Sequence, residues 1–169
     1  RISQAGFNRF YHYLTADDRM GDLMSAVTDS DQKLYTLDPM RLAEPRDKYP
    51  CTAPARLRIG PDWLAYAGNW MTEWERTGNT KYRDKIITGM KSICALPGKI
   101  FTGPLALGYD PATGVITSEC DSSLRTTNHL MTIMGGFELM NEMMPMIPDK
   151  EWEAAWLDHA KNYREMALK

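Results

Sequence analysis

Leu14-Thr15-Ala16-Asp17-Asp18-Arg19-Met20-Gly21-Asp22 and Arg76-Thr77-Gly78-Asn79-Thr80-Lys81-Tyr82-Arg83-Asp84 are two versions of one joint. In each, a small residue stands where one helical pattern stops, an Asp or Asn able to cap the next follows, and a basic residue comes two positions later. The two copies lie about 60 residues apart, the scale of a helical repeat. A weaker third copy is Met146-Ile147-Pro148-Asp149-Lys150-Glu151-Trp152. Repeated joints of this kind predict antiparallel helical hairpins in a stacked or ring-shaped all-α fold.

Outward from the joints, the apolar periodicity predicts six helices in three hairpins. The first spans Gln4 to Leu14, with Phe7, Phe10 and Leu14 on one face. The second runs from Asp18 to about Tyr35, with Leu23, Val27 and Leu34 inward. The third starts at Pro61 and Asp62 and carries the stripe Trp63, Ala67, Trp70 and Trp74. The fourth covers Thr80 to Leu96, closed by Pro97-Gly98. The fifth runs from about Ser123 to Met144 and the sixth from Asp149 to the C-terminus, with Trp152, Trp156, His159 and Tyr163 on one side. Links within hairpins are a few residues; those between hairpins are about 25, far beyond ordinary connections. The first, Thr36 to Gly60, holds four prolines and cannot be regular helix. The second contains strand-like stretches, Lys99 to Leu107 and Val115 to Ser118, around the turn Gly108 to Gly114, and predicts a small β-hairpin near 99–118. Tight joints at one end leave the long links, and the starts of helices one, three and five, at the other. Binding chemistry is expected there.

The chain has 169 residues and a net charge of −2, which disfavours a general nucleic-acid binder. No apolar run approaches a membrane span. Both ends fall inside or against helical patterns, so the chain reads as one partial domain, 1–169, of a larger protein. Cys51, Cys94 and Cys120 have neither zinc nor disulfide spacing and are expected to be free thiols. Nothing resembles a phosphate loop, a dinucleotide fingerprint, a nucleophile elbow or a zinc motif, so no cofactor or metal is expected.

Three groups of residues are candidates for a site. In the loop from Met40 to Gly60, Arg41, Arg46, Lys48, Arg56 and Arg58 outnumber Glu44 and Asp47. Arginine forks suit an acidic sugar; the alternative is a solvated basic loop or salt bridges to helices. At the start of helix three, Asp62, Trp63 and Asn69 are placed to stack on and hydrogen-bond a sugar ring, with Trp63 as the stacking residue and Trp70 and Trp74 in the core. Near the start of helix five, His129 stands beside Asn128, as a proton-transfer group or a structural cap. His159, within an apolar stripe, is a core residue, and His12 lies at the tight-joint end. No spacing singles out a carboxylate pair.

Phe10 to Asp22, Ile59 to Trp63, Gly68 to Gly78 and Gly108 to Gly114 together resemble the rhamnogalacturonan exolyase / YetA-like family, over roughly Phe7 to Gly114. That resemblance implies an (α/α) toroid, often with β-rich domains beside it, and cleavage of acidic, rhamnose-containing polysaccharide by β-elimination. The chain departs from the family in Ala16, where Gly is common, and in having three hairpins where a closed toroid has about six. The implied partners are an acidic oligo- or polysaccharide and the remaining hairpins and β-domains of the parent, in a secreted or periplasmic setting. A lyase must neutralise a uronate carboxylate and abstract the C5 proton. Arg46, Arg56 or Arg58 suits the first task and His129 or Tyr49 the second. A glycoside hydrolase using Asp62 with a second carboxylate, and a non-catalytic helical-repeat piece that binds sugar or protein, are the rival readings.

Overall fold

The computed structural model describes residues 3–128 and 134–168. Among them are six α-helices: α1 (Gln4–Thr15), α2 (Asp18–Ala26), α3 (Leu64–Thr77), α4 (Thr80–Ala95), α5 (Gly136–Met146) and α6 (Lys150–Ala167). Five short strands accompany them: β1 (Ala55–Leu57), β2 (Thr102–Pro104), β3 (Leu107–Tyr109), β4 (Ile116–Thr117) and β5 (Arg125–Thr127). Helix α3 packs on α1, α4 and α5, and α4 packs on α6. The helices thus stand in two rows, α1-α3-α5 and α4-α6, with α2 against α1 and α3.

The joints owe their form to local hydrogen bonds. The Thr15 hydroxyl donates to the Tyr11 carbonyl and accepts from the Asp17 N–H. Thr77 makes the same pair with Glu73 and Asn79. Asp17, Asn79 and Asp149 each cap the following helix through a side-chain oxygen. The turn itself needs a left-handed residue, which is Ala16 at φ 54° in the first joint and Gly78 at φ 72° in the second. Alanine adopts that conformation at a cost of about 1–2 kcal/mol, which the surrounding bonds offset.

The core runs through the centre of the two rows. Trp63, Ala67, Trp70 and Met71 meet Ile86, Met90 and Ile93 of α4, Met140 and Met143 of α5, and Trp152 and Trp156 of α6. Trp63 meets Trp152 edge-on, with ring centroids 5.7 Å apart. His159 is buried in this core, stacked on Trp156.

Several expectations are corrected. The second helix stops at Ala26, and a separate 3-10 segment covers Ser30–Tyr35. The break turns Asp31 inward to Lys85 and Tyr109. Met24 is buried while Leu23 faces out, and Phe7, Phe10 and Leu14 are largely exposed. Residues 125–127, expected in the fifth helix, instead form β5 antiparallel to β2; the β-branched Thr126 and Thr127 favour that ladder. The expected hairpin exists as β3 with β4, but β1 joins its other edge, in the order β1-β3-β4, while β2 leaves it for β5. Among the described residues the fold is therefore six helices with two small sheets. Cys51 and Cys120, 69 residues apart, form a disulfide that ties the two long links together. Only Cys94 is free, and burial, with Glu151 and Asp149 nearby, pushes its thiol up to about 11.

Candidate functional site

Ile59–Trp63 forms a π-turn leading into α3. The Trp63 N–H donates to the Arg58 carbonyl, and the Leu64 N–H to that of Ile59, each five residues back. Such one-residue bulges concentrate at functional sites. Asp62 closes the turn. It accepts from the Arg58 backbone N–H at 2.9 Å, from Nε at 2.7 Å and from Nη2 at 2.8 Å.

This turn walls three cavities on the end opposite the tight joints. Gly60 faces a gap of about 40 Å³ between α1 and α5. Pro61 and Asp62 line an opening of about 230 Å³ between α1 and α3, with Gln4, Ser30, Tyr66 and Asn69. Ile59 lines a cavity of about 140 Å³ beneath the β2–β5 ribbon, with Lys99, Arg125 and Asn128.

Tyr66 lines the α1/α3 opening. Its phenol is half-buried and makes no hydrogen bond among the described residues. Burial, then the carboxylates of Asp62 and Asp31, raise its pKa well above the ordinary phenol value, with Arg58 offsetting in part. It is a neutral donor at physiological pH, not a base. Behind it, buried Asp31 accepts from Lys85 Nζ at 2.5 Å and from the Tyr109 hydroxyl at 2.7 Å through one oxygen. Its other oxygen has no partner among the described residues. Lys85 also donates to the Pro111 carbonyl and lies 4.6 Å from the centre of the Trp70 ring.

The structure distributes the sequence candidates unevenly. Arg58 and Asp62 meet at the site as a pair. Asn69 does not offer its amide to a ligand: Oδ1 accepts from Ser3 Oγ and the Ala5 N–H, and Nδ2 donates to the Val27 carbonyl. It ties α1 and the end of α2 to α3. Trp63 is wholly buried, so the expectation that it stacks on a ligand fails; Trp152 of α6 and Gly89 of α4 lie close against its indole. Arg56, 1% exposed, is likewise withdrawn from any substrate. It donates to Asp38, to the Glu44 carbonyl and to the Tyr49 carbonyl. Arg46 donates to the Ala53 carbonyl, and buried Glu44 accepts from Ser122, Ser123 and the Leu124 N–H. The basic loop is thus largely stapled to itself and to the second long link. Tyr49 lies half-buried on that loop, away from the three cavities. Asn128, buried, lines the ribbon cavity and donates to the Ile100 carbonyl at 2.6 Å. His129 lies outside the described residues.

Asp31 and Lys99 were not among the expected site residues. Tyr66 is one helical turn beyond Asp62, a signal available in the spacing. Lys99 and Arg125 meet only through the β2–β5 pairing, which nothing local announces.

The whole chain, residues 1–169, matches the family model of the C-terminal α/α toroid domain of PcRGLX-like proteins. The uncharacterised protein YetA of Bacillus subtilis (strain 168) is 41% identical over 153 residues, covering 90% of this chain. The chain spans 17% of that relative's length.

Proposed function

The chain belongs to the PcRGLX-like family, as a C-terminal α/α toroid domain, and on that premise we propose that it serves an enzyme cleaving acidic, rhamnose-containing polysaccharide by β-elimination. The observation that carries this reading within the chain is the α1/α3 opening, where the neutral Tyr66 phenol stands beside the Arg58–Asp62 pair. In β-elimination the C5 proton leaves, the C4–O bond breaks, and the departing oxygen needs a proton. Tyr66 lines the opening and its hydroxyl has no protein partner among the described residues, so it is placed to supply it. Arg58 is held from one side by Asp62, and its Nη1 has no protein partner among the described residues, so it can meet the substrate carboxylate. The base is sought at His129, the candidate the sequence offers, which lies outside the described residues.

The hydrolase reading fits less well. Asp62 has both oxygens engaged by Arg58, whereas a glycosidase acid must hold a free proton for the glycosidic oxygen. The Cys51–Cys120 disulfide suits an oxidising compartment outside the cytoplasm, where plant polysaccharide is met.

The test is incubation of the full-length protein with rhamnogalacturonan while following ultraviolet absorbance of the unsaturated product. The expected result is a rise that Tyr66→Phe and Arg58→Ala depress. No rise with any pectic or other uronate polymer overturns the proposal.

A further inference from the structure

The cavity under the β2–β5 ribbon has a charge opposite to the chain's. Lys99 and Arg125 line it and no carboxylate does, in a chain of net charge −2. By contrast Arg9, which lines the gap between α1 and α5, is paired with Glu142 and Glu75. Lys99 and Arg125 have no ion-pair partner among the described residues. Two cations that reach solvent along one cavity without a counter-charge attract an anion to it.

Lys99 stands at φ 45° in the turn after α4, where its N–H donates to the Leu96 carbonyl. Gly103, which also lines the cavity, has open space where a Cβ would stand. The floor is apolar, from Ile59, Leu105 and Leu107. At about 140 Å³ the space is well below a drug-sized cleft of roughly 300–1,000 Å³ and matches one small ring.

We propose that this cavity is a subsite for a single uronic acid residue, its carboxylate between Lys99 and Arg125 and its ring on the apolar floor. The choice of a carboxylated sugar as the anion rests on the lyase reading above; the cavity itself is separate from the α1/α3 opening.

Calorimetric titration of the full-length protein with galacturonate, and with galactose as the same ring lacking the carboxylate, tests this. Galacturonate binds more tightly than galactose, and Lys99→Gln or Arg125→Gln each weakens it by about tenfold or more while leaving galactose unchanged. Both side chains reach solvent, and unchanged thermal melting shows that the variants are folded. Equal affinity for the two sugars, or variants that bind galacturonate as the parent does, overturns the subsite. If such variants also cleave the polymer with unaltered KM, the lyase reading stands without it. Galacturonate binding that depends on both cations, in a protein that cleaves no uronate polymer, removes the lyase reading and keeps the subsite.

Discussion

Gly89 of α4 leaves open the space that the Trp63 indole fills. A Cβ at position 89 would overlap the Nε1, Cε2 and Cζ2 atoms of that ring. In an exposed helix interior, Gly→Ala gains about 1 kcal/mol. Here the added methyl must displace a fully buried indole wedged against Trp152, and overpacking costs about 1–3 kcal/mol. Gly89→Ala is therefore expected to lower stability in urea denaturation. A stabilised variant would show that the α3–α4 contact is looser than described.

Arg56 is expected to act on stability rather than on turnover. Arg56→Ala leaves the Glu44 and Tyr49 carbonyls without this donor, while Asp38 keeps Arg46 and the Met40 N–H. Because Asp38 is partly exposed, the loss falls below the roughly 3–5 kcal/mol of a fully buried pair. Melting temperature and activity per folded molecule separate the two roles. A variant as stable as the parent but inactive would restore Arg56 to the chemistry.

Reduction is expected to loosen the open end. The Cys51–Cys120 bridge closes a loop of sequence separation 69, for which the chain-entropy account gives about 4 kcal/mol. Dithiothreitol, or Cys51→Ser with Cys120→Ser, should lower the melting temperature, and limited proteolysis should cut first within residues 36–54. The buried Cys94 thiol, with its raised pKa, should remain unmodified by alkylating reagents in the native protein. An unchanged melting temperature after full reduction, shown by mass, would contradict this.

Acid should destabilise the helical core through His159. Burial lowers its pKa below the ordinary 6.5, Asp158 opposing in part, and neither ring nitrogen has a partner among the described residues. The folded state thus binds fewer protons than the unfolded state just below pH 6.5. Stability from the neutral ring is present above that pH and lost as the pH falls through the folded value. His159→Phe should flatten the fall in stability as the pH drops below the ordinary histidine value of about 6.5. An equally steep fall in that variant would place the acid sensitivity elsewhere.

The joints were legible because their chemistry is local. Thr15, Ala16 and Asp17, like Thr77, Gly78 and Asn79, satisfy one another within a few residues, and the stripe Ala67, Trp70 and Trp74 needs only helical spacing. Trp63 misled because periodicity gives a face and not what covers it; Gly89 and Trp152, from two other helices, decide that. The Met40–Gly60 loop misled for a related reason. Composition shows its positive charge, but Asp38, Glu44 and Ser122 consume or redirect it only after the chain has folded back. The disulfide and the pairing of Thr102 with Thr127 are products of topology, with no local signature to read.

The π-turn at Ile59–Trp63 gives chain length, rather than residue identity, control over the open face. Deleting one residue there would convert the bulge to an ordinary helical turn and rotate the preceding residues by about 100°. Ile59, Gly60 and Asp62 would then each address a different neighbour without any side chain being exchanged. Relatives that differ by a single residue at this point would present differently assigned walls on the same helical frame, so a gap in an alignment here carries more functional weight than a substitution.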